Sequence, residues 1–132
     1  PLLFSPSSFD VIVANENASD TLFSLGAAIS GGFGNLCEGY LGDAATGLYK
    51  PAKVARFDVK NPHGVNPAGI ILAAAKMLEY SFDKSLAKTA VENAVEEVIS
   101  QNFVTPDMKN GRDETQKVIS TEEFTDEVIK RL

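Results

Sequence analysis

Phe9 to Ala14 reads FDVIVA, six residues rich in β-branched side chains and apolar on both alternating faces apart from Asp10. A run of this kind predicts a strand buried on both sides in a parallel sheet, because a half-exposed strand alternates polar with apolar. Such a strand needs neighbours at its edges and helices over its faces, so it commits the chain to an α/β arrangement.

A helix should follow it. Asn17 or Ser19 can cap that helix, Asp20 suits its positive N-terminal end, and Leu22, Leu25 and Ile29 fall on one side before Gly31-Gly32 stop it. Residues 31–47 hold six of the ten glycines and read as a turn-rich connection, followed by a brief strand at Gly47 to Pro51 and more loop to Asn66. From Pro67, a good first-turn residue because its missing N–H costs nothing there, AGIILAAAKMLEYSF is apolar nearly all round and predicts a helix packed on several sides.

A second helix is expected over Asp83 to Gln101, with Ala87, Ala90, Val91, Ala94, Val95 and Val98 on one face and Lys88, Glu92 and Glu96 opposite. Ser120 and Glu123 have capping-box spacing, opening a last helix with Phe124, Val128 and Leu132 down one side. Two or three short strands make a thin sheet, so strands from another chain are expected to complete it.

The 132 residues are 44% hydrophobic and 23% charged, enough for one self-sufficient core. With a net charge of −6 and no Lys/Arg cluster, nucleic acid is not expected as a partner. No apolar stretch approaches the roughly 20 residues of a membrane span. The single cysteine, Cys37, rules out an intrachain disulfide and reads as a small packed side chain. Pro1 in place of an initiator methionine is read as a processed or trimmed start, with no secretory or transit segment in the residues shown. His63, the lone histidine, reads as a loop residue. GGFGN at Gly31 to Asn35 follows a helix rather than a strand, so it reads as a turn and not as a phosphate cradle.

The order of segments resembles the C-terminal part of the isocitrate/isopropylmalate dehydrogenase family. The family pattern FDVIVTPNLFGDILSDLAA lies over Phe9 to Ala28, FEPVHGSAPDIAGKGIANP over Tyr49 to Pro67, and the tail resembles TPDMGG followed by TxxFxxxVIxxL. The V-x-TPDM-like wording at Val104 to Met108 is most similar to mitochondrial NAD-dependent isocitrate dehydrogenase subunits, which implies a mitochondrial location. The implied fold is α/β, with short strands and about four helices, and residues 1–132 are expected to form a single truncated domain of that fold.

The resemblance also assigns residues. Asp20 stands at the family's GD aspartate, a ligand of Mg²⁺ or Mn²⁺, while the second carboxylate of that motif is replaced by Ser24 and Glu16 takes the place of an asparagine. A hydroxyl is a poor substitute for a carboxylate toward a hard divalent ion. Asp58 and Asn66 match the ribose and adenine positions of the dinucleotide. Between them and the strand, Val54 and Arg56 replace small residues, hindering backbone approach to phosphates, and Lys50 replaces the glutamate near nicotinamide.

Lys50, Lys53 and Arg56 could instead clasp phosphates or a polyanionic effector. The carboxylate-binding arginines and the proton-transferring tyrosine and lysine of the family come from segments preceding this one. The expectation is therefore a catalytically inactive, isocitrate-dehydrogenase-like subunit with no catalytic residue and no cofactor, a structural or interaction element among other protein chains of a larger assembly. The alternatives are a split subunit of NAD-dependent isocitrate dehydrogenase using NAD and Mg²⁺, and an effector-binding regulatory module.

Overall fold

The computed structural model describes residues 2–52, 62–111 and 113–132. Among them the chain forms helix α1 (Glu16–Ile29), strands β1 (Cys37–Leu41) and β2 (Gly47–Pro51), helices α2 (Ala68–Tyr80) and α3 (Ser85–Ser100), strands β3 (Phe103–Val104) and β4 (Lys117–Val118), and helix α4 (Thr121–Ile129).

Phe9–Ala14 departs from the expected strand. The segment carries no strand pairing, and Val11 and Val13 are 80% and 93% exposed. A strand exists only where a neighbour accepts its hydrogen bonds, and among the described residues none lies beside this one. α1 follows as expected, but its cap is Asn15, whose side chain accepts from Ala18 N at 3.0 Å, two residues before Asn17 and four before Ser19. Gly31 and Gly32 end it with φ of 84° and 117°, a region open to glycine at little cost.

The connection expected over residues 31–47 is more ordered than its glycines suggest. A 3₁₀ turn at Phe33–Asn35 leads into β1, which pairs antiparallel with the expected β2 in the register Glu38↔Lys50 and Tyr40↔Leu48. α2 packs on this hairpin and on α3. Its buried residues are small, Ala68, Gly69, Ala73 and Ala75, which lets backbones approach: a Cβ on Gly69 would lie 2.6 Å from the Leu36 carbonyl oxygen. The all-round apolar pattern is only partly covered, for Ile70 is 53% exposed.

The main core lies between α2, α3 and α4, where Ala68, Ala94, Val95, Val98, Phe124 and Val128 form a buried cluster. Phe124 and Val98 are fully buried. Ser120 and Glu123 make the expected capping box, each side chain meeting the other's backbone N–H, whereas Leu132 is exposed. β3 and β4 form a short parallel pair beneath them. Lys76 of α2 reaches Glu92 of α3 across the seam at 2.9 Å, and Lys88, one turn before Glu92 on α3, pairs with it at 2.8 Å. Burial pushes the Glu92 carboxyl up, but its hydrogen bonds to the two lysines outweigh that and hold it below the usual range. No helix among the described residues is long and apolar enough to cross a membrane.

Candidate functional site

Asp20 lies in the first half of α1 on a cleft of about 600 Å³. Ile12 and Ala14 of the extended segment, Phe23 of α1, and Leu36, Glu38 and Tyr40 of the hairpin region line it with Asp20. Four residues on, Ser24 does not point its proton into this cleft. Its hydroxyl donates to the Asp20 backbone carbonyl at 2.8 Å, the back-bonding common for serine within helices. The motif thus presents one carboxylate where a divalent ion needs several charged oxygens. Among the described residues no three His, Cys, Asp or Glu side chains gather into a metal-binding group, so these residues alone do not fit a Mg²⁺ centre.

Lys50 projects from β2 beside its cross-strand partner. Its Nζ lies 2.7 Å from Glu38 Oε2 and 5.4 Å from the centroid of the Tyr40 ring, and the Tyr40 hydroxyl donates to the same carboxylate at 2.8 Å. The Glu38 hydrogen bond holds the Lys50 ammonium above its ordinary range. The cation replacing the expected glutamate is therefore balanced within the hairpin. Glu38 carried no signal in the sequence, because its significance is the register across a turn.

Asn66 is 8% exposed and engaged at both ends of its side chain. Its Oδ1 accepts from Ala68 N at 2.9 Å, capping α2, and its Nδ2 donates to Asn35 Oδ1 at 2.6 Å. Its backbone N–H donates to Asp107 at 3.0 Å. Gly34 makes room for it, since a Cβ there would meet Asn66 Nδ2 at 2.9 Å. Asn35 and Asp107 are positioning residues that sequence patterning could not assign, because their partner lies 31 and 41 residues away. Asp58, Lys53, Val54 and Arg56 lie outside the described residues.

His63, just before this network, has its Nδ1 2.7 Å from Glu122 of α4. Cys37 is half-buried in β1, where burial pushes its thiol up and away from nucleophilic use. GGFGN is the turn expected of it.

Residues 1–128 match the family model of isocitrate/isopropylmalate dehydrogenase. The chain belongs to the isocitrate/isopropylmalate dehydrogenase family. It is 35% identical over 133 residues to 3-isopropylmalate dehydrogenase of Heyndrickxia coagulans, an alignment covering 99% of this chain and 35% of that one. The corresponding figure for 3-isopropylmalate dehydrogenase of Rhodopirellula baltica is 36% over 131 residues, covering 99% and 36%. In structure the chain is similar to isocitrate dehydrogenase from Methylococcus capsulatus, with a TM-score of 0.81 at 29% identity over 98% of this chain and 37% of that one. The α/β fold is thus part of the isocitrate/isopropylmalate dehydrogenase fold. This family member spans about a third of the length of the curated relatives it matches.

Proposed function

We propose that this family member is a catalytically silent subunit, retained as a packing and interaction element of a larger, mitochondrial assembly; the resemblance of Val104–Met108 to NAD-dependent isocitrate dehydrogenase subunits supports the location. The observation that carries this reading is the bond from Ser24 to the Asp20 carbonyl: where the resemblance expects a second metal carboxylate stands a hydroxyl that donates to its own helix backbone. Lys50, neutralised by Glu38, and Asn66, committed to Asn35 and α2, support it, since both of these side chains are engaged within the fold.

Decarboxylating hydride transfer needs a base, an acid, a bound metal and a nicotinamide together. The test is turnover of isocitrate and of 3-isopropylmalate, with NAD⁺ and Mg²⁺, by the assembly purified with this chain. Rates indifferent to Asp20→Asn are expected. A rate abolished by that substitution would instead establish the second reading, a split or regulatory subunit of NAD-dependent isocitrate dehydrogenase using NAD and Mg²⁺, which the placement of Asp20 on an open cleft favours. Calorimetry with ADP, citrate and NAD⁺ tests an effector site, and the silent-subunit reading expects no heat.

A further inference from the structure

Among the described residues, few contacts attach residues 2–30 to the rest of the molecule. α1 buries Ala27, no residue of α1 joins the buried core cluster, and the cleft of about 600 Å³ stands between α1 and the hairpin. The contacts that do cross are concentrated at the turn 33–35, where the Phe23 and Phe33 rings lie 5.9 Å apart. The join itself is Gly31-Gly32, both at positive φ.

Beside that ring contact, a side-chain hydrogen bond crosses the join. Asn35 Nδ2 donates to the Ser30 carbonyl, the last residue before the glycines, at 3.0 Å. Its Oδ1 accepts from Asn66 Nδ2 at 2.6 Å, and Asn66 caps α2. A Cβ on Gly31 would approach Asn35 Nδ2 to 3.0 Å, so the glycine leaves room for this link. We propose that Asn35 is a clasp joining two units of unequal stability, residues 2–30 and the body built on α2, α3 and α4, and that it sets how readily the cleft carrying Asp20 opens. The inference does not depend on whether the chain is catalytically silent.

Local opening follows where few apolar contacts are buried, and one side-chain hydrogen bond is worth about a factor of ten in such an equilibrium. Hydrogen exchange on the whole chain reads both units at once. In the native protein the amides of Leu22–Ile29 are expected to exchange at least about ten times faster than those of Val91–Val98. Asn35→Asp keeps an acceptor for Asn66 but loses the donor to Ser30. It should speed α1 about tenfold and leave α3 unchanged. Asn35→Ala removes both bonds and should also speed the first turn of α2. Exchange of α1 and α3 as one cooperative unit, equal acceleration of both by Asn35→Asp, or an α1 indifferent to either variant would overturn the proposal.

Discussion

Lys50 and Glu38 face each other in register across the hairpin, with their charged groups 2.7 Å apart. Directly opposed charges stabilise an antiparallel pair, and like charges in the same place destabilise it. Lys50→Glu, the substitution that restores the family's residue, should therefore lower the melting temperature. The swap Glu38→Lys with Lys50→Glu should recover most of the loss. Thermal melts of the three variants at low and high salt check this, and the single variant's deficit should shrink as salt screens the repulsion.

Asp20 and Ser24 stand one helical turn apart, so Ser24→Asp rebuilds the missing carboxylate. Without metal, like charges at this spacing cost about 0.2–0.5 kcal/mol. With millimolar Mn²⁺ the variant should melt higher than without, while the natural chain should not respond, because ligand binding to the folded state stabilises it by mass action. A Mn²⁺-induced shift of equal size in the natural chain would contradict the poor metal donor set argued for Ser24.

Gly69 lies against the backbone of the turn that leads into β1, and a methyl group there would sit 2.6 Å from the Leu36 carbonyl oxygen and 3.0 Å from that of Gly34. Neither atom is the end of a flexible side chain. Gly69→Ala should cost about 1–3 kcal/mol as an overpacked contact, outweighing alanine's better helix propensity of about 1 kcal/mol. Urea unfolding measures it, and a neutral or stabilised variant would show that α2 slides freely on the hairpin.

Glu92 is held below its usual range, the two lysine hydrogen bonds outweighing the opposing effect of burial. A carboxylate depressed in the folded state stabilises above its unfolded pKa, and that stability is lost as pH falls through the folded value. Glu92→Gln should therefore flatten the loss of stability as pH falls through and below the ordinary glutamate range, with an effect of at most about 1 kcal/mol at neutral pH because the group is partly exposed. Denaturation at a series of pH values resolves the difference.

Local chemistry was legible in the residues themselves. The Ser120–Glu123 capping box, the end of α1 at Gly31-Gly32, the amphipathic α3 and the strand at Gly47–Pro51 each depend on neighbours within a turn or two, and each is found in the structure. Phe9–Ala14 was read as a strand because its pattern is that of a strand. Pairing, however, requires a partner that the described residues do not place beside it. β1 was hidden by the charge of Glu38 and by Gly39, and β3 with β4 are two-residue strands that, among the described residues, pair only with each other.

The site divides the same way. Asp20 with Ser24 could be compared from spacing alone. The balance of Lys50 by Glu38 could not, since it rests on a register, nor could the engagement of Asn66, whose partners Asn35 and Asp107 are distant in sequence.

The bare valines at 11 and 13 bear on the fate of any copy left unaccompanied. Extended, β-branched and hydrogen-bond hungry, this stretch is a template on which identical chains can stack edge to edge. Stacking of that kind would lead to fibrous deposits, and the charges of Asp10 and Glu16 on either side would slow it through mutual repulsion.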